Sequence, residues 1–427
     1  MTVNESIFLL LRESLFGIQT NASEVIDDKE FWNKVYRELQ AQTVTGLTTV
    51  VVRKHNEIPA ELQRVWSDTQ RTRVVNYVQM AAVQDEACTL LQKSGIDVAV
   101  IKGMAAAIYY PIPEHRTMGD VDLLVRPKDY KAAIQVLKEN GFALKGVEEG
   151  RYHTAFIRYN VLFELHRAPS GTHIYEKGDI IRDYILSGMD FIEENQIGRY
   201  RFPILPWKQN GMELIWHIRQ HLYNGLGLRH IVDWMMFANY YLNDENMREY
   251  MPDLQKCGLD RLAVVVTKMC QRYLGLRYDN ITWCESADED ICEDLMNFIM
   301  EQGNFGKKVL NEKTAKVISG YNNPKLIFRR LQELGKKDWG ILKKYPVLSP
   351  IAFIYEGGKV FFSLFKGKGA VRQFLKDVQL GRRRTRMFTR LDTENKCRNV
   401  GKRDIIYRQW RRIHEFIIAI MRFIFGI

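Results

Sequence analysis

The run GDVDLLV at 119–125 sets Asp120 and Asp122 two residues apart in an aliphatic, β-branched stretch. Side chains on a strand alternate between its faces, so the two carboxylates share one face while Val121, Leu123 and Val125 share the other. This run constrains the chain more than any other. It asks for a sheet with a buried face, and it asks for compensation of two like charges held side by side. A divalent cation is the common compensation, because Mg2+ takes oxygen ligands, uses one or two carboxylates and keeps positions for phosphate and water.

The neighbouring segments extend the pattern. IDVAVI (96–101) is a short β-branched run, read as a strand; GMAAAIYY (103–110) has helical character and ends at PIP. Lys102-Gly103 therefore lies where a strand opens into a helix, a place where backbone N–H groups can meet a phosphate. Lys102, Arg116 and, beside it, His115 add positive charge for the same role. Tyr130, Ala133, Ile134 and Leu137 keep helical spacing up to Gly141. AFIRY (155–159) and VLFELH (161–166) read as two strands around a turn at Asn160. Glu164 and His166 share one face of the second, and Glu164 is a candidate third metal ligand or a base for an attacking hydroxyl.

The segment VIKGMAAAIYYPIPEHRTMGDVDLLVRP resembles the uncharacterised nucleotidyltransferase family of the DNA polymerase β-like superfamily. The shared features are a strand ending in Lys-Gly, a helix, Tyr-Pro, an Arg and Asp-hydrophobic-Asp-Leu-Leu-Val. The likeness spans roughly residues 1–320 and is most specific from 100 to 166. With the pattern along the chain it gives an α+β fold: a small mixed-sheet core (96–202) flanked by helical N-terminal (1–95) and C-terminal (203–322) regions; the basic, aromatic-rich segment (323–427) is read from its residues alone. The resemblance implies transfer of a nucleoside monophosphate from an NTP such as ATP to an acceptor hydroxyl. Mg2+ or Mn2+ would be held by Asp120, Asp122 and Glu164, with phosphate contacts from Lys102, Gly103 and Arg116. Two features depart from the superfamily: Met104 follows Gly103 where Gly or Ser is usual, and the gap to Asp120 is long. A DxD glycosyltransferase and a catalytically degenerate nucleotide-binding module are the rival readings. The first normally needs a longer βαβ series before its DxD.

The flanks read as helices. Val74, Tyr77, Val78, Ala81, Cys88 and Leu91 form a stripe that stops at Gly95, Pro59 opens a helix, and TTVVV (48–52) is open between helix and strand. After Pro203 and Pro206 the chain turns helical to about residue 320. There, Glu213, His217, Gln220, His221 and Asn224 line one side of a helix. His217 and His221 have the spacing of paired zinc ligands, but Ile218 stands where HExxH needs Glu, so zinc is disfavoured. The stripe is assigned to the cleft or to contacts between helices, with His221 and Asp233 as cleft residues. Arg229 and Asp233 are spaced for an i, i+4 ion pair.

The net charge of +11 is local. From Lys366 onward there are 17 Lys and Arg against five acidic residues, so the preceding 365 residues are close to neutral. Arg382, Arg383, Arg384, Arg386 and Arg390 form a basic run, and 410–425 reads as a helix with a broad apolar face. Such a segment suits peripheral contact with an anionic membrane or packing on the body; contact with nucleic acid is the weaker reading. No apolar stretch reaches the length of a membrane span. The six cysteines are scattered without a CxxC pair, and the first residues do not read as a signal peptide, so a reducing cytoplasm is expected.

Overall fold

The computed structural model describes residues 1–19, 28–146, 152–172, 175–306, 308, 379 and 383–391. Three helices come first: α1 (Val3–Phe16), α2 (Lys29–Gln42) and α3 (Thr45–Val52). The ambiguous TTVVV run thus lies in a helix, with Val51 and Val52 buried and Val50 on the outside. The long α4 (Ala60–Lys93) starts behind Pro59, which presets the backbone at the first turn. Tyr77, Ala81, Cys88 and Leu91 of the expected stripe are buried, whereas Val78 faces solvent.

The central unit then runs β1 (Val98–Ile101), α5 (Gly103–Ala107), β2 (Val121–Val125), α6 (Tyr130–Glu139), β3 (Ala143–Leu144), β4 (His153–Arg158) and β5 (Val161–His166). The turn between β4 and β5 uses Tyr159 (φ 48°) and Asn160 (φ 63°), two left-handed residues that match the twist of a hairpin. After α7 (Gly178–Ser187), β6 (Glu193–Ile197) and β7 (Tyr200–Ile204) complete a seven-stranded sheet ordered β3-β4-β5-β2-β1-β7-β6. The last two strands carry polar residues and Pro203, so the alternation that marks a half-buried strand is missing from them. Strand β1 is antiparallel to β2 and parallel to β7, and β2 is parallel to β5. The sheet is therefore mixed, and the fold is α+β.

The chain continues through α8 (Trp207–Asn224), α9 (Leu228–Tyr241), α10 (Asp244–Cys257), α11 (Asp260–Leu274) and α12 (Glu289–Gln302). The two sheet faces bury against different partners. Val98, Val100, Val121, Leu123, Val125, Phe163 and Leu165 join α4 and α6 in one apolar cluster. Ala99, Ile101 and Leu124, on the other face, join α1–α3 and the helices after Pro206. The Asp-bearing face is thus covered rather than open, and Asp122 is 4% exposed.

A helix over 383–390 packs on α12, with Met387, Phe388 and Leu391 buried. Arg383 pairs with Asp294 at 3.6 Å, and Arg390 reaches Asp288 at 3.7 Å and Asp294 at 3.8 Å. This part of the basic run packs on the body. Arg382 and the apolar segment 410–425 lie outside the described residues. No helix among the described residues is long and apolar enough to cross a membrane.

Candidate functional site

Strand pairing assembles the acidic site. In the parallel β2–β5 ladder Asp122 lies opposite Glu164 and Leu124 opposite His166, while β1 sets Ile101 opposite Asp122. Asp120 stands just before β2. The period of two brings the three carboxylates to one sheet face, and one oxygen from each lies within 4.8 Å of the other two. His153, on β4, joins Glu164 and His166 in an overlapping group.

Lys102 and His166 close in on Asp122. The Lys102 ammonium is 3.2 Å from Asp122 Oδ1, and His166 Nε2 is 2.8 Å from the same oxygen. His166 Nε2 also lies 3.4 Å from Glu164, and His153 Nε2 lies 3.6 Å from it. On the far side, Lys102 is 3.8 Å from Glu213 of α8. Glu213 is 1% exposed, and among the described residues its second oxygen has no hydrogen-bond partner. Sequence reasoning placed Glu213 in a polar stripe without singling it out; only the packing of α8 on the sheet brings it to Lys102.

These neighbours pull the acids apart. Burial works to raise the Asp122 pKa, but the charges of Lys102 and His166 and their hydrogen bonds overcome it, and Asp122 lies well below the usual range. Asp120 moves the other way: the negative charge of Asp122, and then burial, push it up to about 6. Glu164 is lowered, because the hydrogen bond from His166 and the two imidazoles outweigh burial. Buried His166 is raised in return by hydrogen bonds to Asp122 and Glu164. Burial raises Glu213. The result is a strong anion, an acid poised near neutrality and a hydrogen-bonded glutamate within a few ångströms.

Lys102 reaches this position at a cost. Its backbone has φ 56° and ψ −123°, a conformation that a side chain rarely adopts and that costs on the order of 1–3 kcal/mol. The sharp turn aims the lysine back along β1 toward Asp122. Gly103 follows, and a Cβ there would meet Met118 at 3.3 Å. That contact is with the end of the Met118 side chain, and the Asp120 carbonyl lies at 4.0 Å, so the turn sits beside the segment that leads into Asp120. Helix α5 is only five residues long, so its dipole offers a phosphate less than a full helix would.

Arg116 corrects an expectation. It does not face the carboxylates but is buried against α9, donating Nε and Nη2 to the two oxygens of Asp233 at 2.7 and 2.8 Å. Tyr110 donates to Asp233 at 2.6 Å. Asp233 is thus an anchor for the loop before Asp120, and its expected i, i+4 partner Arg229 instead donates to the Thr117 carbonyl at 3.3 Å. Arg229 also lies 3.9 Å from where a Cβ on Gly119 would be, next to Asp120, whose negative charge it feels. Arg73 of α4 holds the Thr117 hydroxyl. His115 turns away from the acids and lines a cleft between α3 and α4 with Arg53 and Gln70. His221 is buried on α8 beside His217 and His230.

Residues 28–275 match the family of uncharacterised nucleotidyltransferases, more than half of the chain. The chain belongs to that family. A comparison with curated proteins finds no match. Among solved structures, an antigenic nucleotidyltransferase-like protein from Paracoccidioides brasiliensis is 18% identical, with 46% of this chain and 93% of that one covered and a TM-score of 0.29. A tRNA-processing enzyme in an apo form is 13% identical, with 80% and 98% covered and a TM-score of 0.22. At those scores neither likeness carries an argument. For this nucleotidyltransferase family member the acidic face, where Asp120, Asp122 and Glu164 converge, is the candidate active site.

Proposed function

We propose that the protein transfers a nucleoside monophosphate from an NTP to an acceptor hydroxyl or a similar group, with Mg2+ or Mn2+ held by Asp120, Asp122 and Glu164. One observation carries this reading: three carboxylates from one sheet face within 4.8 Å of one another, in a member of a nucleotidyltransferase family. An all-oxygen donor set suits these hard cations. The raised pKa of Asp120 expresses a repulsion that a cation would relieve. When bound, the metal would lower the pKa of the acceptor hydroxyl and neutralise charge on the departing pyrophosphate.

The chain's own groups prepare that chemistry. Lys102 and His166 keep Asp122 ionised, so one ligand is ready at any physiological pH. Asp120 is the more basic carboxylate and exchanges a proton for a cation near pH 6. Glu164, approached by His166 and His153, would serve as the third ligand or, alternatively, as the base that takes the acceptor's proton. Lys102 and Arg229 bring positive charge to the triphosphate; Arg116 takes no part in that contact. Burial of Lys102 and Asp122 excludes water from their pair and strengthens it.

The test is incubation with each labelled NTP and Mg2+ or Mn2+, followed by pyrophosphate release and mass analysis of products formed in a cell extract. Metal-dependent pyrophosphate release that disappears in Asp122→Asn is expected. Transfer of sugar from a nucleotide-sugar donor, with no pyrophosphate from any NTP, would replace this reading by the glycosyltransferase one.

A further inference from the structure

A second cluster of metal-binding side chains lies on α8 and α9. His217 and His221 are one turn apart on α8, and His230 comes from the first turn of α9. The chain reverses between them through Gly225, at φ 106°, and Gly227, where a Cβ would come within 2.7 Å of Asn304. The three rings pack with centroids 4.2 to 4.8 Å apart.

Ring packing alone does not require the nitrogens to meet, yet they do. One nitrogen of each imidazole lies within 4.8 Å of the other two, and His217 and His221 face each other Nε2 to Nε2 at 3.0 Å. His230 Nδ1 lies against the Gly227 backbone, 3.5 Å from its N–H and 3.4 Å from its carbonyl, and the tautomer that donates Nδ1–H to the carbonyl presents Nε2 as the ligand nitrogen. A second ring nitrogen fixed on a backbone carbonyl is the usual support of a metal-bound histidine. Tetrahedral zinc with Zn–N bonds of ~2.0–2.1 Å sets ligand nitrogens about 3.3 Å apart. The 3.0 Å between His217 and His221 is within a few tenths of an ångström of that spacing.

We propose that His217, His221 and His230 form a binding site for a zinc-class dication, separate from the Asp120, Asp122 and Glu164 set. Three imidazoles without a carboxylate favour a borderline ion over Mg2+. Three protein ligands, rather than four, also leave a coordination position for water or substrate. The histidines are kept neutral, as ligands must be. Burial, then the charge of Arg229, pushes His221 down to about 3, and burial with neighbouring positive charge lowers His217 and His230. Arg229 and Lys102 also act against a dication, and the carboxylates around them, Asp120, Asp122, Glu213 and Asp233, offset that charge. Glu213 precedes His217 by one turn of α8 and contacts Lys102, so the proposed ion lies beside the acidic site.

Full-length protein stripped with a chelator and titrated with Co2+, then with competing Zn2+, tests the site. A single equivalent of Co2+ with the intense visible bands of a tetrahedral site is expected in the wild type and in the Asp120→Asn, Asp122→Asn double variant. His221→Ala should weaken that binding by on the order of tenfold or more. His217→Gln should do the same, and at a partly exposed position it is the variant to judge by if His221→Ala fails to fold. Absence of such a spectrum in the wild type, or its persistence at unchanged affinity in His217→Gln, overturns the proposal. Since metal content is the readout, the result is independent of whether any NTP is turned over.

Discussion

Two charged clusters flank the same short loop and are balanced in opposite ways. At Arg116 and Asp233 a planar guanidinium meets both oxygens of one carboxylate, Tyr110 adds a third donor, and the charges cancel in a dry setting. Four residues further on, three carboxylates converge around the ammonium of Lys102 and two imidazoles, and one of the acids is driven up to about 6. A satisfied pair holds structure. An acidic excess at close range keeps its own repulsion, which the proposed cation would relieve. Burial does not separate the two, since Arg116 and Asp122 are each 4% exposed; the charge balance does.

The sharpest break between the clusters is in activity. Asp122→Asn should lower NTP-dependent transfer by on the order of 10³-fold or more, the scale of losing several kcal/mol of transition-state stabilisation. Full activity in that variant would erase the distinction. Next in size is Asp233→Ala, which strands Arg116 in the interior and should cost about 3–5 kcal/mol in urea unfolding. Arg116→Met combined with Asp233→Leu should recover most of that loss. A cost below about 1 kcal/mol for Asp233→Ala would mean that the pair is no anchor.

Asp120→Asn should act in the reverse sense, stabilising the metal-free protein by on the order of 1–3 kcal/mol at neutral pH and abolishing the rise in Tm produced by Mn2+. The smallest effect is its pH dependence. Because the folded state holds the Asp120 proton up to about pH 6 and an ordinary aspartate releases it near 3.8, the wild type loses stability as pH rises through that window. The advantage of Asp120→Asn over wild type should therefore grow from about pH 4 to about pH 6 and then level off. The Mn2+ shift of the wild type should follow the same curve, since proton and cation compete for one carboxylate. An advantage independent of pH would show that Asp120 is not the proton-holding acid.

The parts of this site that could be read from sequence are those set by local period. Asp120 shares a face with Asp122, and Glu164 with His166, because strands alternate; that the two pairs meet on one sheet face is set by the β2–β5 register. What could not be read depends on contacts between distant segments. Arg116 finds its partner 117 positions away, and only the packing of α9 decides that it turns from the acids. Glu213 looks like any polar residue of a helix until α8 is laid on the sheet. His230 is separated from His217 and His221 by the turn at Gly225–Gly227, so a pair with zinc-ligand spacing, set aside because Ile218 replaces the Glu of HExxH, became a three-histidine cluster. Strands β6 and β7 escaped notice because an edge pair with polar residues and a proline lacks the apolar alternation that reveals a strand. The helical flanks were legible as helices, but not the way in which α1–α3 share one apolar cluster with the helices after Pro206.

The parallel pairing of Asp122 with Glu164 also sets a rule of parity. A residue added or removed inside β5 ahead of Glu164 would turn the carboxylate to the opposite face, among Val121, Phe163 and the helices behind them, and bring an apolar side chain into its place. An even change would preserve the face but slide the register by two positions. Length can vary cheaply only in the connections, where the hairpin or the loop resets the count. Insertions and deletions in chains built on this plan should therefore collect between the strands, and a natural variant with an odd-length change within β2 or β5 should have lost the acidic site while keeping its fold.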